Sequence, residues 1–426
     1  PPAETGSPAK ETPTTPSTST VISTDGSTNT VTVGASTDVP VDLNQLTPAS
    51  ASPQSTDQAE TSLEQIISTL QLDSGNNDGD LIEKSLAALS KLDASSLNVR
   101  NVVLTPESQS GQSEQTISFN GTAPAASTEV LVVDASQMPE DFNLQFNHTG
   151  LIVVIGAASI SGGAGGNVLI ADGFPQSINL GADDDSLYGG GGDDTVASAG
   201  GNDLLKGQLG DDIVSGGQGD DTVRGGRGRD TLHGGDGADR LIGGRFHDKL
   251  HGNKGADILL GRRGRDLLRG GRNRDLLKGG RGLDILKGGR GHDRLKGGHK
   301  RDTLSGGRGL DTLIGEKGVD LLRGKRGNDL LKGGRGRDKL DGGQGDDTLV
   351  GGEHADIFVV SAGADVIKDF DPTQGDKIRI RGKSDFELKI LQSGNNAILE
   401  DAAKDTITII LNISIDKLTD SQPDLF

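Results

Sequence analysis

Residues 203–221 read DLLKGQLGDDIVSGGQGDD, and here Asp203, Asp212 and Asp221 fall nine residues apart. Two residues after each stands an apolar side chain: Leu205, Val214 and Val223. Followed outward, the column runs from Asp185 to Asp365 without a slip. It holds 21 aspartates, each with an apolar residue two places on. Gly recurs five residues before the Asp, unbroken from Gly207 to Gly351. The unit is G-G-x-G-x-D-x-U-x, with U apolar. One such unit cannot bury its own apolar side chain, so copies must stack.

Each position has a physical reason. The triplet x-U-x is a minimal strand, with U inward and its neighbours outward. The six residues G-G-x-G-x-D make the turn, where Gly permits positive φ and close backbone approach. Stacked strands lie about 4.7–4.9 Å apart, so interior Leu and Val form continuous files. Stacking also piles up the aspartates. Unit charges about 5 Å apart repel by roughly 3 kcal/mol at an effective dielectric near 20, so a bare file of carboxylates needs a cation. A hard cation with oxygen ligands, Ca2+, answers that need.

The composition agrees with a solenoid and excludes other classes. The chain has 426 residues, of which 67 are Gly and only 31% hydrophobic, with nine Phe, one Tyr and no Trp. A large core built on aromatic packing is therefore not expected. Cysteine is absent, which removes disulfides and thiolate metal sites. No apolar run approaches 18 residues, so no transmembrane segment is expected. No apolar stretch follows PPAETGSPAK, so an N-terminal signal peptide is not expected there.

Four further segments surround the repeats. Residues 1–56, rich in Thr, Ser and Pro, read as a disordered tail. Residues 57–95 place Leu63, Ile66, Ile67 and Leu70, then Leu81, Leu86, Leu89 and Leu92, at helical spacing. Residues 96–180 carry short β-type runs and are expected to form a β-rich N-terminal cap. The roll itself is assigned to 181–367, and 368–426 to a C-terminal cap.

Residues 181–426 resemble the repeats-in-toxin (RTX) family of secreted calcium-binding proteins. The resemblance implies an all-β, right-handed parallel β-roll with two nonapeptides per turn, so that every second loop stacks on the same edge. It also implies calcium held between stacked loops by Asp carboxylates and loop carbonyl oxygens. The best sites are expected where a second acid or amide precedes the Asp and Gly is intact. Those aspartates are Asp185, Asp194, Asp203, Asp212, Asp221, Asp329 and Asp347, foremost in the pairs 185/203, 194/212, 203/221 and 329/347. The accompanying loop glycines are Gly190, Gly192, Gly201, Gly210, Gly217, Gly219, Gly327, Gly343 and Gly345. After the repeats, ADIFVVSAGADVIKDFDPTQGDKIRIRG resembles the family's closing cap. DTITIILNISIDKLTDSQPDLF, ending in Asp424, Leu425 and Phe426, resembles the uncleaved signal read by bacterial type I secretion machinery. A secreted, extracellular or cell-surface location follows from the resemblance.

The middle departs from the pattern. Residues 224–339 hold 30 Lys+Arg against 15 Asp+Glu, while the rest of the chain holds 13 against 47. Three residues before the Asp, a basic side chain recurs, as in Arg227, Arg245, Lys254, Arg263, Arg272 and Arg281. Two readings follow. In one, Arg and Lys partly replace calcium, the guanidinium forks gripping the stacked carboxylates. In the other, the basic face binds an anionic polysaccharide or a cell surface. Nucleic acid is not expected, because the region has a single aromatic residue, Phe246, for base stacking. No catalytic function is expected: H-E-x-x-H and G-x-S-x-G are both missing.

Overall fold

The structure, a computed structural model, describes residues 20–24, 29–33, 38–42, 97–106, 116–120, 128–138, 142–147, 151–163, 165–381, 388–401, 406–410 and 412–422. The helices expected over 57–95 and the last residues, Asp424 to Phe426, lie outside them.

Consecutive repeat strands alternate between two long parallel sheets, as the roll requires. Each strand pairs with the strand 18 residues on. Leu205 lies beside Val223, which lies beside Leu241, in one sheet. Val214 lies beside Leu232, which lies beside Leu250, in the other. Two nonapeptides thus make one coil. The core is the space between the sheets, filled by one apolar side chain per repeat. From Leu205 to Leu349 every one of these is fully buried. A file of identical shapes has little slack. Leu286→Ala is expected to cost about 2–5 kcal/mol, because rigid coils above and below cannot collapse into the cavity. Chemical denaturation reads that loss directly.

The sheets reach further toward the N-terminus than the nonapeptide pattern does. Strands Leu97–Pro106, Thr128–Asp134, Leu151–Ile155 and Val168–Ile170 stack in parallel beneath the first repeat strand of one sheet. Thr116–Asn120, Asn143–Asn147, Ser159–Gly162 and Ser177–Asn179 do so in the other. The segment expected as a separate cap is therefore continuous with the roll. Its apolar residues enter the same core, and Phe119 stacks on Phe146 with centroids 5.2 Å apart. The expectation of a disordered tail fails over part of 1–56. Asn29–Val33 pairs in parallel with Leu97–Pro106, and Asp38–Asp42 with Thr116–Asn120. The runs NTVTV and DVPVD supply β-branched residues, and an open sheet edge supplies the template that composition alone does not.

The C-terminal end closes differently. Leu388–Ser393, Asn396–Asp401 and Thr406–Ile410 form an antiparallel meander. Its last strand pairs in parallel with Ala364–Ile367. Part of the segment that resembles the secretion signal is a helix, Ile415–Ser421. Ser414 caps it, accepting from the Lys417 N–H, and Asp416 favours its first turn. Leu418 anchors it in the core.

Candidate functional site

The aspartates of the repeat sit where each loop re-enters a strand, and all 21 are buried. Oδ1 of each accepts the backbone N–H of the residue one coil earlier. Asp185 N–H donates to Asp203 at 2.8 Å, Asp194 N–H to Asp212 at 3.0 Å, and Asp203 N–H to Asp221 at 2.9 Å. Asp329 N–H donates to Asp347 at 2.8 Å. The four pairs singled out in the sequence are thus stacked neighbours, 185/203, 203/221 and 329/347 along one edge of the roll and 194/212 along the other.

The other oxygen is the telling one. Oδ2 is buried and has no hydrogen-bond partner in every register aspartate from Asp185 to Asp356. Only Asp365 differs, where the Ser361 N–H reaches Oδ2 at 3.3 Å. Oδ2 points back at the glycine that opens its own loop: a Cβ on Gly207 would overlap Asp212. Burial therefore makes the anion costly. It pushes Asp194 up to about 8 and Asp221 up to about 7, with neighbouring carboxylates adding to the effect. Asp212 rises to about 6, and Asp185 and Asp203 rise too, burial being the main cause in each. Asp329 rises to about 8 and Asp347 to about 7 for the same reason.

The nine singled-out glycines all have positive φ, from 88° at Gly192 to 127° at Gly210. At Gly210 the need is double, because a Cβ would also overlap the Gly192 carbonyl oxygen of the previous coil. Loop carbonyls thus face the next coil along the edge. Among the described residues, no three His, Asp or Glu side chains form a metal cluster. A cation here would take oxygen from both carboxylates and loop carbonyls, a donor set suited to Ca2+. The orphaned Oδ2 atoms fit such an ion.

A second, outer file belongs to the residue before the Asp. Asp193 Oδ1 accepts the Asp211 N–H at 2.8 Å, and Asn202 Oδ1 accepts the Asp220 N–H at 2.8 Å. In the middle, His247 and His292 take over this role, accepting from Arg265 and Leu310 N–H through Nδ1, both at 2.8 Å.

The files outrun the sequence pattern at both ends. Asn167 and Gln176 hold the same places as Asp and donate to Asp185 and Asp194 at 2.7 and 2.9 Å. Both fall on the nine-residue register, so the column would have shown them had amides been admitted. Asp376 closes one file, accepting the Asp356 N–H at 2.8 Å across a 20-residue step. Its two-residue insertion hides it from a strict period.

The guanidinium forks onto stacked carboxylates are not formed. Oδ2 has no hydrogen-bond partner from Asp230 to Asp338, the stretch where Arg and Lys abound. The reason is directional. Oδ2 turns inward toward its glycine, whereas the basic residue three before the Asp ends its strand on the outside. Arg245, Arg263, Arg272, Arg290 and Arg308 are all exposed. Ion pairs of the middle join other acids, such as Lys254 with Asp236 at 2.7 Å and Lys296 with Glu316 at 2.8 Å.

The family model for the RTX calcium-binding nonapeptide repeat matches residues 161–196, 174–205, 198–232, 233–268, 269–299, 296–331 and 332–367. Residues 161–367 are RTX calcium-binding repeats. The RTX matches begin at residue 161, where the stacked strands Ser159–Gly162 and Val168–Ile170 precede the strict nonapeptides. Among solved structures, the chain is similar to the extracellular lipase LipA from Serratia marcescens, at 20% identity and a TM-score of 0.24. The likeness covers 47% of this chain and 42% of that one, so this chain spans under half of that lipase. No curated protein matches the chain.

Proposed function

We propose that this is a non-catalytic, secreted protein whose RTX roll folds on calcium outside the cell. The observation that carries the reading is the row of buried Oδ2 atoms without a partner. Calcium would be held by Asp185, Asp194, Asp203, Asp212, Asp221, Asp329 and Asp347 with the carbonyl oxygens of their glycine loops. At these ends the outer acids Asp184, Asp193, Asp211, Asp220 and Asp346 add negative charge beside each site. In the middle the same carboxylate frame persists. Its Arg and Lys columns offset the charge from outside the loops, without bonding to Oδ2. That offset lowers the need for calcium there, so the terminal turns load first. Export by type I secretion machinery fits a chain that stays unfolded where calcium is scarce, because binding energy is then folding energy.

Equilibrium dialysis against radioactive calcium tests the sites. Asp203 belongs to two stacked pairs, so Asp203→Asn is expected to remove about two of the tightest ions from the full-length chain. An unchanged calcium count would overturn the assignment.

A second reading is supported by one further observation. The basic middle presents a groove on one sheet face lined by Lys254, Arg272, Arg290, Arg308 and Arg326, which supports the binding of anionic polysaccharide or an anionic cell surface as the alternative function.

A further inference from the structure

The two faces of the basic middle are not alike. On one sheet, strand register lines up Lys254, Arg272, Arg290, Arg308 and Arg326 in a column. Beside it runs a column of glycines, Gly271, Gly289 and Gly307. Beyond the glycines comes a second basic column, with Arg269, Lys287 and Arg323 around Ser305. The bare glycines are the floor, and the column of Lys254, Arg272, Arg290, Arg308 and Arg326 the basic wall, of a groove of about 930 Å3 that Ser305 and Lys325 also line. Arg381, ion-paired with Asp341, stands at its end. On the other sheet the column corresponding to Arg269 and Lys287 reads Ile242, Leu260, Lys278, Lys296 and Ile314. There the loop column runs Arg245, Arg263, Arg281, His299 and Lys317, and Glu316, ion-paired with Lys296, stands beside it.

We propose that this groove is the binding site for a linear acidic polysaccharide carrying one carboxylate per sugar. The inference rests on the second reading above and assigns its surface and ligand. Three features select the ligand. Charges along the wall recur once per coil, about 4.7–4.9 Å, which is close to the length one sugar ring adds to an extended chain. The floor has no side chains, so a ring can lie against backbone. No Phe, Tyr or Trp lines the groove, which disfavours stacked bases. The wall is also unfavourable by itself, since neighbouring unit charges at that spacing repel by about 1 kcal/mol even in water. A polyanion in register removes that repulsion and releases its own counterions.

Polygalacturonate binding to the calcium-loaded full chain, followed by calorimetry at two salt concentrations, tests this. Two double variants carry the same charge change at the same loop position: Arg290→Ala with Arg308→Ala in the groove, and Arg263→Ala with Arg281→Ala on the other face. Circular dichroism and calcium count verify that both remain folded. The groove variant is expected to weaken binding by at least about tenfold, as the loss of two charge-assisted contacts requires, while the other pair changes little. Equal losses would overturn the groove and leave a diffusely basic surface. No binding at low salt would overturn the polyanion reading altogether. Tighter binding of single-stranded DNA than of polygalacturonate would overturn the choice of ligand.

Discussion

Stripped of calcium at pH 8, the protein is expected to lose most of its β-sheet signal, and acidification to pH 5 to bring much of it back without metal. The sign follows from the stacked carboxylates. Burial raises the folded-state values of Asp194, Asp248, Asp275, Asp302 and Asp329 to about 8, and those of Asp212, Asp257 and Asp284 to about 6, from 3.8. Between those limits the metal-free folded chain holds more protons than the unfolded chain. Its stability is full below the unfolded value and drains away as pH rises through the folded ones. Protons and calcium are then alternative ways to neutralise the same oxygens. Calcium uptake near pH 7 should accordingly release protons, which calorimetry in buffers of different ionisation enthalpy detects. The same circular dichroism at pH 5 and pH 8, with chelator, decides the matter. A chelated roll equally stable at both would show that the aspartates are not the groups calcium neutralises.

The second large effect is steric. Gly309→Val is expected to destabilise the roll by roughly 2–5 kcal/mol, combining a β-branched residue at positive φ with overpacking. Gly309 has φ of 132°, and a Cβ there would overlap the Gly291 carbonyl oxygen. Gly394, in the meander, has φ of 63° and open space around a Cβ, so Gly394→Ala should cost only about 1–2 kcal/mol. The roll does carry non-glycine residues in this conformation, among them Phe246, Asn273 and Lys300, at φ of 78–80°. These lie at lower φ than their glycine neighbours, and no two follow one another along an edge. From Gln208 to Lys325, each such residue has glycine at the same place in both adjacent coils. Lys300→Gly should therefore stabilise the chain by about 1 kcal/mol, the left-handed cost removed. Denaturant midpoints for the three variants test the ranking.

Much of this was legible in the residues because the nonapeptide dictates both layers at once. The apolar position forces a strand, and the Asp column forces a stacked, cation-seeking edge. Legibility failed where the period drifts. Leu131, Leu144, Ile152 and Ile160 occupy the same core as the repeats, but their spacing is uneven, so they read as a separate cap. Thr20–Thr24, Asn29–Val33 and Asp38–Asp42 were hidden by a composition that holds structure only against a template. The Arg forks were misjudged for another reason. Sequence places Arg three residues from Asp, but the direction of each side chain is set by the positive-φ turn between them.

The antiparallel meander has a role beyond closing the core. Every coil of a parallel solenoid ends in a row of backbone groups ready to receive another coil, from its own chain or from a second molecule. By pairing Thr406–Ile410 in parallel with Ala364–Ile367, running antiparallel strands beyond it and following them with a helix, the chain ends that sheet on strands that do not continue the coil. Without this terminator, folded molecules would be free to join end to end into filaments.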